Sequence, residues 1–302
     1  MPEIIELKNN NNHREYLPSG EYDMAIVSLV HQDGNMLRWM ARNIEKYVKG
    51  KVIWIAHYNG KEPFDERELP DWAWISRRTV DTFSGFAPSL AHGIASALEF
   101  ATSHVSFINC MTLSSGSVFI KEYSPPKNEV VCLKMYEQIV NPNKNYKHAE
   151  EIHIKHASRC VEYLTSIGGM GWQYGGCDKD IEFHSAIKSR GFEHMRGCQW
   201  SGQIWPMDVA KMIAEDIPKI KYPNNSNYSA EEIYLSTYGN AYARKKSMEI
   251  GFCEVMIDWN RNYTVNDVEY VKKLAKEFPH SAICKVPTDT NHPVRRFLDD
   301  SI

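Results

Sequence analysis

The chain has 302 residues, of which 43% are hydrophobic, enough to fill one large core or two medium ones. Its formal net charge of −3 leaves no global basic field, which argues against wholesale nucleic-acid binding and favours small or neutral partners.

Residues 1–22 form a polar leader with an asparagine run at Asn9–Asn12, and they are expected to hold neither a signal peptide nor a membrane anchor. The formal glycosylation sequons at Asn224, Asn227 and Asn262 are then expected to stay unused. Seven cysteines (110, 132, 160, 177, 198, 253, 284) are scattered without C-x-x-C or zinc-type spacing. They read as reduced, buried thiols of a cytoplasmic protein.

Met24–Val30 is an apolar run of branched residues, the pattern of a strand buried on both faces. His31–Asn35 breaks it. Met36–Val48 has apolar residues at helical spacing (Leu37, Met40, Ile44, Val48), and Lys51–Ala56 returns as a strand, so the segment predicts a βαβ unit. A strand is predicted at Trp72–Ile75, a helix at Pro88–Ala101 and another strand at Val105–Asn109. Such alternation predicts an α/β sandwich with a mostly parallel sheet. Ligands then bind beyond the carboxyl ends of the strands, at His31, His57–Lys61 and Asn109–Gly116.

Further along, the periodicity predicts helices at Tyr146–Ile167, Val209–Glu215 and Val265–Phe278, a glycine-rich loop at Gly168–Gly176 and an apolar run at Ala282–Val286. No linker is visible. Residues 23–302 are expected to form one catalytic domain, with a nucleotide-binding half at about 23–125 and an acceptor-binding half at 126–302.

Gly168-Gly169-Met170-Gly171 lacks both G-x-G-x-x-G and a P-loop lysine, and reads as a turn. His148, His153 and His156 have no fourth ligand, and Asp178-Lys179-Asp180 does not follow a strand, so no metal is expected. In Tyr228–Thr237, two adjacent carboxylates open an apolar helical segment. Ser229 and Glu232 fit a capping box, but a carboxylate at a helix N-terminus beside an aromatic groove can also take a proton from a sugar hydroxyl. Lys285, Arg295 and Arg296 are either a solvated basic tail or the cations that a departing diphosphate needs.

Several short segments resemble the core-2/I-branching and peptide O-xylosyltransferase group, glycosyltransferase family 14. Ile26–His31 is similar to the family's first strand ending in histidine, and His57-Tyr58-Asn59-Gly60-Lys61 to its His-x-Asp-x-Lys element. Ser84–Leu98 resembles the start of its next helix, and Phe107–Asn109 its following strand. Gln199-Trp200-Ser201-Gly202 resembles the acceptor segment, and Ser229-Ala230-Glu231-Glu232 the Ser-Pro-Asp-Glu whose last residue is the base, with Thr237 matching downstream. Cys284-Lys285 falls at the diphosphate-binding lysine. The chain departs at Asn59, where the family has aspartate, and at Thr112–Ser117, which lacks Gly-x-Asp-Phe-Pro.

The resemblance implies a GT-A-type, Rossmann-like sandwich and an inverting, metal-independent sugar transfer from a nucleotide sugar, UDP-xylose or UDP-N-acetylglucosamine, to a glycan. No cofactor is implied. Glu232 would be the base and Glu231 the second choice, Gln199 and Trp200 would meet the acceptor, and His31, Asn59, Lys61, Lys285, Arg295 and Arg296 the donor. A sugar nucleotidyltransferase and a non-catalytic carbohydrate-binding protein are the rival readings.

Overall fold

The structure is a computed structural model that describes residues 13–78, 88–134, 152–153, 181–192, 194–220, 230–256, 264–277 and 281–300. Strand β1 (Glu21–Val30) is buried continuously from Met24 to Val30, as its run of apolar residues requires of a central strand. Asp33 then accepts the Met36 N–H at 3.1 Å and starts helix α1 (Gly34–Tyr47), which buries Met36, Leu37, Met40 and Ile44. Strand β2 (Val52–Tyr58) lies parallel to β1, and β3 (Ala73–Ile75) parallel to β2.

Helix α2 (Pro88–His104) carries the chain back to β4 (Ser106–Ser114), which pairs parallel with the other edge of β1. The parallel order is therefore β3-β2-β1-β4, and the direction of winding reverses between β1 and β4. A reversal of this kind opens a crevice beyond the carboxyl ends of the two strands. Strand β4 is longer than the sequence pattern predicts, because its pairing with β1 continues to Leu29↔Ser114. Asn109 accordingly sits in mid-strand rather than in the crevice. Its side chain donates to the Asn128 carbonyl at 2.8 Å and accepts the Val130 N–H at 3.0 Å.

The chain continues through β5 (Ser117–Phe119) and β6 (Val131–Lys134), then β7 (Ile152–His153), α3 (Ile181–Ser189), β8 (His194–Met195), β9 (Ile204–Pro206) and α4 (Met207–Asp216). Helix α5 (Ala230–Lys245), β10 (Ile250–Phe252), β11 (Val255–Met256), α6 (Val268–Glu277), β12 (Ile283–Lys285) and α7 (Pro293–Asp300) complete it. The main sheet has seven strands in the order β10-β6-β9-β4-β1-β2-β3, mostly parallel, with β9 antiparallel to both β4 and β6. It is a Rossmann-like α/β sandwich, and β9 ties the two halves of the chain into one sheet. A smaller sheet, β11-β12-β5, packs beside it. Helix α2 packs on α4 and α5, whereas α1 packs on α7 and β5.

Two predicted helices need correction. Ile152–His153 is extended, not helical, because it pairs with His194–Met195; a tertiary partner overrides the local periodicity. The rest of Tyr146–Ile167, the Gly168–Gly176 loop, His148, His156, Asp178 and Asp180 lie outside the described residues. Helix α6 begins at Val268 rather than Val265, whose N–H instead donates to the Lys285 carbonyl at 2.7 Å. No helix among the described residues is long and apolar enough to cross a membrane.

Candidate functional site

The crevice is closed on the β1–β2 side by two loops in close contact. Asn59 donates its N–H to the Val30 carbonyl at 3.1 Å, and a Cβ built on Gly60 would lie 2.3 Å from the Gln32 carbonyl oxygen. Only glycine fits that approach. His31 is exposed at the end of β1, Asn59 is buried and Lys61 is exposed. The structure thus brings His31 and Asn59 to neighbouring strand ends, as their order in the sequence predicts.

On the other side, β4 turns at Ser114–Ser117 into β5. Ser117 pairs in register with Lys285 of β12, so the smaller sheet delivers Lys285 to the carboxyl end of β4. Segment 196–203 lies over the same turn. Ser201 Oγ accepts the Ser114 N–H at 3.0 Å and donates to Ser117 Oγ at 2.9 Å. The Thr112 hydroxyl donates to the Trp200 carbonyl, and Gly202 N–H to the Thr112 carbonyl at 2.6 Å. Gly202 has φ +82°, and an added Cβ would meet the Val255 backbone nitrogen at 2.7 Å, so this turn also requires glycine.

The first turn of α5 closes the arrangement. Cys198 N–H donates to the Glu232 carbonyl at 3.2 Å, Arg196 N–H to Thr237 Oγ1 at 3.1 Å and Ser236 Oγ to the Arg196 carbonyl at 2.7 Å. These bonds fix segment 196–203 to the helix that carries Glu231 and Glu232. Both glutamates are buried, at 5% and 4% exposure, and Lys285 retains 9%. Whether Ser229 caps this helix lies outside the described residues.

Burial and the neighbouring Glu232 charge push the Glu231 carboxyl up to about 8, against a smaller opposing pull from Lys285. Burial lowers Lys285 to about 8, while Glu232 first and Glu231 second work to keep it charged. The three groups therefore share one electrostatic cluster. Glu231 Oε2 and the side-chain oxygens of Gln199 and Gln203 are buried and have no hydrogen-bond partner among the described residues. The two amide oxygens call for a ligand that donates and the protonated Glu231 for one that accepts, a combination that a hydroxyl-rich molecule offers.

The other residues singled out in the sequence fall in different surroundings. Trp200 keeps only 7% exposure, so its ring is packed in the core and is not laid open as a stacking platform. Arg295 is fully buried, which overturns the solvated-tail alternative for this residue. Its Nε and Nη2 donate to the Pro287 and Ser115 carbonyls at 2.5 and 2.6 Å, and its guanidinium lies 4.2 Å over the Trp39 ring. It holds the Ser114–Ser117 turn in place, with Nη1 left unpartnered among the described residues. Arg296 is exposed and donates to Asn291 Oδ1 at 3.4 Å.

Sequence reasoning missed two carboxyls, Glu66, which is fully buried, and Glu254, which is half-buried. Glu66, inside the charged stretch Asp65–Glu68, accepts from Ile75 N–H at 2.7 Å, Arg14 N–H at 2.9 Å and Arg77 Nη1 at 2.6 Å. Burial opposes its charge, but these bonds together with His13 outweigh it and bring the carboxyl down to about 2. Glu254 is pushed up to about 7 by burial and accepts the Ala282 N–H at 3.2 Å. Nothing in the local sequence distinguishes either from a solvated charge. Among the described residues no group of three or more His, Cys, Asp or Glu side chains is arranged to hold a metal ion.

The chain matches no protein-family model and no curated protein sequence.

Proposed function

We propose that the chain is an inverting glycosyltransferase that moves a sugar from a nucleotide-sugar donor to a glycan hydroxyl. One observation carries the reading: Glu231 and Glu232 open helix α5 in the same buried cluster as Lys285, beside the carboxyl end of β4 where the winding of the parallel sheet reverses. The unpartnered buried polar atoms of Glu231 and of segment 196–203, which is bonded to the same helix, support a polyhydroxylated ligand. The resemblance of these same segments to glycosyltransferase family 14 points the same way.

In this reading Glu232 takes the proton from the acceptor hydroxyl, whose oxygen bonds to the anomeric carbon as the bond from that carbon to the diphosphate oxygen breaks. The nucleoside diphosphate leaves with the electron pair, and the charge of Lys285 stabilises it. A single displacement inverts the anomeric centre. Glu231, neutral at pH 7, would donate a hydrogen bond in the site rather than act as base. His31, Asn59 and Lys61 would lie along the nucleotide, with UDP as the expected carrier.

The test is transfer from UDP-sugars by the wild type and Glu232→Gln, in buffer with EDTA. Loss of transfer with donor binding retained supports the reading, whereas near-normal turnover of the variant overturns it. The burial of both carboxyls favours one alternative, a carbohydrate-binding protein without turnover. That alternative predicts sugar binding with neither transfer nor donor hydrolysis, and strict metal dependence would instead indicate a nucleotidyltransferase.

A further inference from the structure

A large cavity lies at the opposite end of α5 from Glu231 and Glu232. It has a volume of about 1090 Å³ and is bounded by the ends of α3 and α5 and the outer face of α4. A second cavity of about 550 Å³ is lined in part by the same Lys211 and Glu215, so the two adjoin along α4. The first forms a groove that begins on α5 at Asn240, eight residues past Glu232 and so about 12 Å along the axis, which sets it apart from the candidate active site.

The groove combines three kinds of surface. Its rim is basic, with Lys211, Lys245 and Lys246 all exposed, while the carboxylate of Glu215 is already matched by Arg190 at 2.8 Å. Phe192, Met212 and Tyr242 add apolar and aromatic surface, and Tyr242 is fixed by a bond of 2.9 Å to Glu129. Asn240 also lines the groove. It is 1% exposed, and neither its Nδ2 nor its Oδ1 has a hydrogen-bond partner among the described residues.

Cations in the last turn of a helix are explained by the helix dipole alone. That account covers Lys245 but not Lys211, which is on α4, and it says nothing about Asn240. Leaving both ends of a buried amide unpaired is costly, because neither water nor protein replaces the lost hydrogen bonds. A ligand with an adjacent donor and acceptor in one plane would recover that cost, and the edge of a nucleobase has this form; adenine N6 and N7 fit an asparagine amide. An aromatic and apolar wall suits the base's face, and lysines suit a phosphate.

We propose that this groove is a binding site for a nucleoside phosphate, with Asn240 reading the base edge and Lys245, Lys246 and Lys211 holding the phosphate. The volume is at the upper end of small-molecule sites, which run to about 1,000 Å³. The site does not depend on the glycosyl-transfer reading, because none of its residues belongs to the Glu231–Lys285 cluster.

The experiment is calorimetric titration of the full chain with AMP, adenosine and ribose 5-phosphate, repeated on Asn240→Leu, the double variant Lys245→Glu/Lys246→Glu, and Lys285→Met. AMP should bind at least about tenfold more tightly than either fragment. Asn240→Leu should abolish the preference for AMP over ribose 5-phosphate. The double lysine variant, altered only at exposed positions, should weaken AMP at least about tenfold, while Lys285→Met should leave it within about twofold. The proposal is overturned if AMP gives no binding up to about 5 mM, if ribose 5-phosphate binds as well as AMP, if neither groove variant changes AMP affinity, or if Lys285→Met abolishes it. Thermal unfolding of each variant checks that a loss reflects binding and not folding.

Discussion

Lys285 on β12 and Glu231 in the first turn of α5 lie in one buried cluster, where burial brings both to about 8 while each opposes the shift of the other. Near neutral pH the lysine is charged and Glu231 retains its proton. A carboxyl held neutral at pH 7 can donate a hydrogen bond where an ionised one cannot.

The first prediction concerns pH. Glu231 is raised from 4.5 to about 8 in the folded chain, so its contribution to stability is complete below pH 4.5 and is lost as pH rises to about 8. Lys285 is lowered from 10.5 to about 8; its contribution is complete above pH 10.5 and is lost as pH falls to about 8. Stability from this pair should therefore pass through a minimum near pH 8. Glu231→Gln should remove the acid limb and raise stability at pH 8 by on the order of 2–3 kcal/mol, with little gain at pH 4.5. Urea unfolding across pH 4 to 10 measures it; a variant equally destabilised at both pH values would refute the assignment.

The second prediction separates the roles of the cations. Lys285→Met should lower transfer by about 10²–10³-fold, because it removes the charge assigned to the departing diphosphate. Arg296→Met should change it by less than about threefold, since Arg296 is exposed and remote in its contacts. Steady-state kinetics on the two variants decides between them. Equal effects would place the leaving group elsewhere.

Much of the fold was legible because periodicity and burial agree. Met24–Val30, Lys51–Ala56 and the helix behind Leu37, Met40 and Ile44 carry patterns that only a central parallel sheet satisfies. The extension of β4 to Ser114 was not, since Met111-Thr112-Leu113-Ser114 takes its conformation from pairing with β1. In the candidate site, the sequence order offered Glu231, Glu232 and Lys285, but their meeting depends on β12 pairing with β5 across 168 positions (285 minus 117). Long-range pairing leaves no local trace. The same reason hid Glu66, whose partners come from residues 13–14 and 75–77.

The third prediction tests that hidden group. Glu66 is fully buried, and its folded carboxyl is lowered from 4.5 to about 2, so its contribution is present above pH 4.5 and is lost as pH falls through about 2. Glu66→Gln removes the charge and leaves one acceptor oxygen where there were two, so an NH2 must face either the Ile75 N–H or the Arg14 N–H and Arg77. The cost at pH 7 should be about 3 kcal/mol, shrinking steadily between pH 4.5 and 2. Denaturant unfolding at pH 7 and pH 3 measures it, and a cost independent of pH would show that the charge of Glu66 is not what matters.

The last prediction concerns the thiols. Cys198 and Cys253 lie with their sulfurs 3.5 Å apart, and Cys253 also donates to the Cys132 carbonyl at 3.3 Å. Proximity alone would suggest easy oxidation to a disulfide, but the attacking species is the thiolate. Burial pushes Cys253 well above its usual range, with further help from the neighbouring Cys198, and it raises Cys132 and Cys284 to about 12 and Cys110 higher still. At pH 8 the thiolate fraction at these positions is negligible. Iodoacetamide labelling at pH 8, mapped by mass spectrometry, should leave Cys110, Cys253 and Cys284 unmodified for hours in the native state. Their labelling should rise only across the unfolding transition in urea. Rapid native labelling of Cys253, or its ready cross-linking to Cys198 by a mild oxidant, would mean that the interior beneath Gln199 and Trp200 opens far more often than its packing allows.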